Sequence, residues 1–278
     1  MNQVRRQTAL APVSFQPAAR INFLPADFDG AEAPKPGEPN FYLEVGASTY
    51  LSLWQFHVDF ADPSSSTFTH TATLPYSVFS LGCSRNPPVW GSPVIPQPNT
   101  SELLLAYPDQ LMYRLAWRNV GGTEHLVTNE TVILQSSPVV AGVVWFDVVN
   151  PAASAELAQY GTVSDPAMVN SYWIGSLAQD QDGDIALGFN ASSASLYPSI
   201  DLAGRLESGQ AGAMTLLGPL VTGTGSQTNT SLWGTHADMS LDPTNDCVFW
   251  FTGEYVKTTS SGFDWNTRIG SFEFTTCQ

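Results

Sequence analysis

Lysine is nearly missing from this chain. Only Lys35 and Lys257 occur, and charged residues of every kind make up 13% of its 278 positions, about half the share usual in a soluble domain. The 25 acidic residues outnumber the 10 basic ones, for a formal net charge of −15. A surface of that sign repels phosphate backbones, so nucleic acid is not an expected partner. No apolar run approaches the roughly 18–20 residues of a membrane span, and none is expected. Helical patterning is scarce as well, with short candidate pieces only near Ala152–Tyr160 and Ser101–Leu105. A Gly-x-Ser-x-Gly nucleophile elbow, a phosphate loop and a dinucleotide fingerprint are all absent. Cys83 precedes Ser-Arg-Asn-Pro-Pro with no histidine obviously paired to it, so a cysteine nucleophile is not expected.

What is present points to strands. Hydrophobic residues are 43% and aromatics 12%, with 22 glycines and 20 prolines punctuating the chain. Most periodic segments alternate, or run apolar for roughly five to nine residues between turn signals, which is the strand signature. The fold class is all-β. Four stretches share a layout of aromatic-rich strand, Asp-centred turn and further strand: Leu51–Phe68, Met112–Val149, Tyr172–Leu206 and Ala237–Phe274. A spacing of about 50–60 residues suggests propeller blades of four antiparallel strands, with a β-sandwich as the alternative. Adding a unit at Ile21–Gly46 gives a β-propeller of about five blades, or part of a larger ring. Residues 1–20 read as a poorly ordered N-terminal segment and 21–278 as one propeller domain.

Of the three cysteines, Cys247 opens the aromatic strand Cys-Val-Phe-Trp-Phe and Cys277 is penultimate. The pair reads as a disulfide tying the last strand to its neighbour, the alternative being two buried thiols. A disulfide implies an oxidising compartment, and the low lysine content and Thr/Ser/Asn-rich loops fit a secreted or cell-surface protein. Met1–Ala18 has a basic start but no continuous apolar core, so it is not a signal peptide.

The segments FLPADFDGAEAPKPGEPNFYL, LWQFHVDFADPSSSTF, LMYRLAWRN, GDIALGFNASSASLYPSI, GTGSQTNTSLWG and SLDPTNDCVFWFTGEYVKTTSSGFDWNTRIGSFEF resemble the C-terminal part of a family of large secreted bacterial proteins. That family is mostly uncharacterised and expected to contain β-propellers. The resemblance implies a propeller fold and relatives that continue upstream, and it supplies no catalytic residue. Where relatives usually carry a cysteine before Pro-Gln-Pro, this chain has Ile95, which would leave Cys83 unpaired. Where relatives read Trp-Gly-Asp-Tyr-Ser, this chain reads Trp233-Gly234-Thr235-His236-Ala237-Asp238.

The chemistry-bearing residues are few enough to weigh singly. His57 with Asp59, and His236 with Asp238, form two His-x-Asp pairs, a spacing that puts both side chains of each pair on one strand face. If the pairs converge on the central channel they could hold a divalent metal ion, with zinc, manganese or calcium possible by ligand type. Such a metal would activate water against esters, lactones or phosphoesters, with Glu254 as a further catalytic group. Asp180-Gln181-Asp182-Gly183-Asp184 resembles the start of a calcium loop but lacks the later bidentate acid, so a hairpin turn explains it better. Glu124–His125 reads as an exposed loop pair or a contribution to the channel mouth, and His70 as a surface-loop residue. Arg114, Arg118, Trp233 and Tyr255 are candidate substrate-binding residues, although Arg114, Arg118, Arg205 and Arg268 equally suit salt bridges between blades. Asp59, Asp147, Asp242 and Glu254 could supply the carboxylate pair of a glycosidase, without a spacing that selects two.

The leading expectation is therefore a metal-assisted hydrolase. The alternatives are a non-catalytic glycan- or protein-binding module and a sialidase-like or two-carboxylate glycoside hydrolase. A small molecule or glycan is the expected ligand, and a truncated ring could form a homodimer.

Overall fold

A run such as Gly-Val-Val-Trp-Phe-Asp-Val-Val-Asn at 142–150 is apolar at consecutive positions, not alternate ones, and the fold explains why. The computed structural model of the chain describes residues 23–46, 49–77, 93–108, 110–234, 236–262 and 264–277. Cys83 and the segment 1–20 lie outside them. The first four strands are β1 (Leu24–Phe28), β2 (Asn40–Gly46), β3 (Tyr50–His57) and β4 (Thr67–Pro75). A two-stranded piece follows, β5 (Pro93–Ile95) with β6 (Leu104–Leu105). The next group is β7 (Leu111–Val120), β8 (Thr123–Ser136), β9 (Val139–Val149) and β10 (Glu156–Val163). Then come β11 (Ser171–Gln179), β12 (Ile185–Ser192), β13 (Ser199–Arg205) and β14 (Thr215–Val221), and last β15 (Asp238–Leu241), β16 (Phe249–Tyr255) and β17 (Asn266–Phe272).

Each of the four larger groups is an antiparallel meander. The first two are joined edge to edge by parallel pairing of Ala26 with Leu115, Asp27 with Ala116 and Phe28 with Trp117, which makes one eight-stranded sheet. The third is a sheet of four strands and the fourth a sheet of three. The β7–β9 region is covered on both faces. Val144, Phe146 and Val148 join Phe41, Leu43, Leu51 and Leu53 in one core. Val127, Val143 and Trp145 turn the other way, onto Leu177, Leu187 and Phe189 of the third meander. A strand buried on both faces has no polar side to alternate with, hence the continuous apolar run. Each fully buried Trp or Phe there contributes roughly 1.5–3 kcal/mol of apolar transfer free energy.

The all-β class is as expected, but five separate four-stranded blades are not what the described strands form. The segment around Ile21–Gly46, counted as a unit of its own, pairs through β2 with β3 and belongs to the same meander as Leu51–Phe68. The expected helical pieces are strands too. Glu156–Val163 is β10, recruited as an edge strand by β9, and Leu104–Leu105 is β6; the single helix among the described residues is the one-turn Pro63–Ser65. No helix among them is long and apolar enough to cross a membrane. The first strands of the meanders lie against one another. Besides the β1–β7 pairing, the Met239 N–H on β15 donates to Ser176 Oγ on β11 (3.0 Å), and Arg114 on β7 donates to the Met239 carbonyl (3.2 Å).

Asp180 to Asp184 form the β11–β12 hairpin turn. Gly183 has φ +89 there, a left-handed conformation that glycine adopts without steric cost. Asp180 Oδ1 accepts from the N–H groups of Asp182 (3.0 Å) and Asp184 (2.9 Å), while its side chain is wholly buried. Burial, reinforced by the Asp184 charge, raises its pKa to about 7. The Asp184 carboxylate accepts from the Glu207 N–H (2.7 Å) and from Thr276 Oγ1 (2.9 Å). The C-terminal tail is thereby sewn to the third meander, and the Cys247–Cys277 disulfide ties the same tail to β16.

Two outcomes follow. Replacing Cys277 by Ser opens a crosslink spanning 30 residues and should lower unfolding free energy by about 3 kcal/mol on a chain-entropy basis, read from urea midpoints. Asp180 keeps its proton in the native state to about pH 7 but loses it near 3.8 when unfolded. Between those values the native state binds more protons, so this group's contribution falls as pH rises and is lowest above pH 7. Asp180→Asn should flatten the decline of stability across that window; an unchanged slope would show that Asp180 does not titrate there.

Candidate functional site

The β15–β16 hairpin has two faces with different duties. Met239 and Phe251 point into the core, so their neighbours Asp238, Thr252 and Glu254 share the other face. Asp238 pairs directly with Thr252, which places Glu254 one diagonal step away. The chain leading into β15 passes across Glu254, and the Gly234 N–H donates to Glu254 Oε2 at 2.8 Å. A Cβ at position 234 would lie 2.0 Å from Glu254 Oε1. Glycine is required there because the carboxylate rests against backbone.

Neighbouring bonds hold this seat in place. The Trp233 indole N–H donates to Asn190 Oδ1 (3.1 Å), and Asn190 Nδ2 donates to the carbonyls of Glu254 (2.7 Å) and Ser199 (3.1 Å). One β12 side chain thus fixes an aromatic wall and the strand that carries the acid. Gln227 Nε2 donates to the carbonyls of Thr230 (2.9 Å) and Leu232 (2.6 Å), pinning the preceding loop. The result is a pocket of about 330 Å³ lined by Tyr107, Leu232, Trp233, His236, Glu254 and Trp265. Burial pushes the Glu254 carboxyl above its ordinary pKa, and the Gly234 N–H and nearby His236 pull it part of the way back.

Beside the pocket lies a charge cluster built around Arg114. Its Nε reaches both oxygens of Asp27 (2.9 and 3.1 Å) and its Nη2 reaches Asp29 Oδ1 (2.6 Å). Burial lowers the guanidinium pKa, but Asp29 and Asp27 raise it by more and keep it charged. The Asp238 carboxyl is raised by burial, lowered by Arg114 and raised again by Asp29. Tyr113 lies against this group, its ring 6.3 Å from that of His236.

The structure sorts the candidates read from sequence. Trp233, His236 and Glu254 meet in one pocket, with Asp238 on the adjoining strand face. His57 and Asp59 do not join them. His57 is exposed at the end of β3, and Asp59 Oδ1 is taken by the N–H groups of Ala61 (2.8 Å) and Asp62 (2.9 Å) in a turn. Among the described residues no three His, Cys, Asp or Glu side chains stand where they could hold a metal ion. The two His-x-Asp pairs therefore do not converge: His57 ends β3 with Asp59 in the turn beyond it, while His236 precedes β15 and Asp238 opens it, in a different sheet. Arg114 and Arg118 are 4% and 3% exposed, too deep to meet a substrate directly. Arg118 donates to Asp246 and to the Gln179 carbonyl (3.0 Å), which ties β7 to the β11–β12 turn. Tyr255 is half-buried and packs against the core.

Other readings also change. Glu124 and His125 lie within β8, not a loop, and His125 Nδ1 is 2.8 Å from the buried Asp147 carboxylate. His70 is exposed but sits on β4, against Trp54. Asp242 accepts from Thr244 N–H (2.9 Å) and from the Trp250 indole (3.2 Å), the work of a turn former. Of the four carboxylates weighed for a glycosidase, only Glu254 lines this pocket. Sequence reasoning missed Tyr107, Trp265 and Asn190, which lie far from the motif in the chain and carry no spacing signal of their own.

No family model and no curated protein matches this chain. Among solved structures it is similar to a protein of unknown function from Dyadobacter fermentans, at 11% identity and TM-score 0.37, covering 83% of this chain and 59% of that one. It is also similar to an alpha-L-arabinofuranosidase from Lactobacillus brevis, at 9% identity and TM-score 0.36, covering 85% of this chain and 69% of that one.

Replacing Arg114 by Met should destabilise strongly, by about 3 kcal/mol, because it strands the largely buried Asp29 carboxylate without its counter-ion. Chemical denaturation measures this, and a loss under 1 kcal/mol would show that the cluster is not a structural hub.

Proposed function

We propose that this chain is a carbohydrate-active hydrolase whose Glu254 pocket cleaves a glycosidic bond, with Glu254 as general acid and Asp238 as general base. The observation that carries this reading is Glu254 itself: a half-buried carboxyl of raised pKa, seated on the Gly234 N–H inside a pocket walled by Trp233, Trp265 and Tyr107. An apolar, aromatic pocket with few polar groups suits a sugar ring presented by its C–H face. A carboxyl of raised pKa keeps its proton to higher pH than an ordinary glutamate and can donate it to a leaving oxygen.

Cross-strand geometry supports the pairing. Asp238 and Glu254 stand one diagonal apart on one face of the hairpin, at backbone positions roughly 7–8 Å apart, and an inverting glycosidase needs its two carboxyl groups roughly 6.5–9.5 Å apart. Glu254 would protonate the glycosidic oxygen while Asp238, whose pKa burial raises and Arg114 only partly lowers, would, once ionised, take a proton from the water attacking the anomeric carbon. The convergence of the first strands of the meanders supports a propeller-like arrangement, and the disulfide fits a secreted origin.

The test is release of reducing ends from a panel of aryl glycosides and polysaccharides. The wild-type protein should turn over at least one class, with the rate falling as pH rises through the raised Glu254 pKa. Glu254→Gln and Asp238→Asn should each lower kcat by roughly 10²–10⁴-fold. Unchanged turnover in Glu254→Gln would sink the assignment. Binding without turnover in the wild type would favour a non-catalytic glycan module instead.

A further inference from the structure

One short sequence occurs twice in this chain. Gln-x-Asn-Thr-Ser stands at 97–101 and again at 227–231, and the two copies fold alike. In each, the Asn takes a left-handed conformation, φ 57 at Asn99 and φ 67 at Asn229. In each, the Thr Oγ1 accepts from the N–H two residues on, that of Glu102 (3.1 Å) or Leu232 (3.3 Å). In each, the Gln Nε2 donates to the carbonyl five residues on, again that of Glu102 (3.1 Å) or Leu232 (2.6 Å). The copies are also bonded to one another. Gln97 Oε1 accepts from the Gln227 N–H (2.8 Å) while Gln97 Nε2 donates to the Gln227 carbonyl (3.0 Å). Ser226 Oγ donates to the Pro98 carbonyl (2.6 Å), and the Leu105 N–H to the Ser231 carbonyl (2.9 Å).

Glutamine is a residue usually left at the surface, yet Gln97 and Gln227 are 3% and 1% exposed. Gln227 turns its amide N–H groups toward the carbonyls of Thr230 and Leu232, and its Oε1 is left buried without a partner, a cost in stability. The seam lies where the Glu254 pocket is built. The first copy runs through β6 to Tyr107, and the second runs straight into Leu232 and Trp233; all three line the pocket. Gly234, next in the chain, supplies the N–H that donates to Glu254. We propose that Gln97 and Gln227 are positioning residues of this site: the seam between the twin loops fixes the Tyr107 wall against the Trp233 wall and holds the Gly234 N–H on the Glu254 carboxylate. That the carboxyl so held is a general acid rests on the hydrolase reading above.

The experiment uses the full chain with Gln97→Met and Gln227→Met, which keep the side chain's length without its amide, and with Ser226→Ala, which removes one hydroxyl from the seam. Carbon-13 labelling of glutamate carboxyls follows Glu254 through pH, its signal identified by its loss in Glu254→Gln. The Gly234 N–H lowers the Glu254 pKa, so loosening the loop should move the titration midpoint upward in both Met variants, and by less in Ser226→Ala. Tyr107, His236 and Asp238, the other titratable groups of this pocket and strand face, are kept in every variant. On the substrate that the wild type turns over best, kcat should fall roughly 10–100-fold in the Met variants, a larger change than in KM. A merely structural pair would lower the urea midpoint while kcat and the Glu254 titration stayed at wild-type values, and that result overturns the proposal. Should a Met variant not fold, Ser226→Ala decides, since a titration superimposable on the wild type's overturns it equally. A wild type without turnover whose Glu254 titration still moves in the Met variants would sustain the positioning role and remove the hydrolase. A Glu254-dependent hydrolase indifferent to both Met variants would do the reverse.

Discussion

One guanidinium holds the arrangement together. Arg114 leaves β7 and grips two carboxylates that follow from β1, then reaches across to the backbone of β15. Three meanders are referenced to that point. Its cost of burial is offset only because Asp27 and Asp29 are both in place, and the short parallel seam between β1 and β7 puts them there. Asp238 and Tyr113 take their electrostatic setting from the same group. The candidate site is thus positioned by the element that joins the sheets.

The acid is positioned by different means. Glu254 sits on a strand whose opposite face is anchored by Phe251 in the core, and its carboxylate lies where a backbone without Cβ lets it approach. Asn190 links that strand to the Trp233 wall. Each contact has low freedom: an indole, an amide fork and a glycine backbone. Little rearrangement is open to the pocket without breaking a hydrogen bond, and rigid placement of this kind is what general-acid chemistry requires.

Much of this was legible beforehand, and particular residues show why. Trp233, His236, Asp238 and Glu254 stood out in the sequence because two lie in a short His-x-Asp motif and the others flank it, and an antiparallel hairpin brings such neighbours onto one face. His57 and Asp59 carried the same motif and went elsewhere. Spacing within a strand says which residues share a face, but not which faces meet. Cys247 and Cys277 were readable as a pair because they bracket the adjacent strands β16 and β17, one just before the hairpin and the other just after it.

Local patterning alone determined the all-β class, the hairpin at Asp180–Asp184 and the aromatic strands, since turn chemistry and side-chain alternation act over a few residues. Tertiary structure decided the rest. It merged the Ile21–Gly46 and Leu51–Phe68 units into one meander, made a strand of Glu156–Val163, and put Tyr107 and Trp265 beside Glu254. It also kept the two His-x-Asp pairs apart. Those outcomes depend on which sheet edges pair and which faces are buried together, and such contacts between residues distant in the chain leave no periodic trace in the sequence.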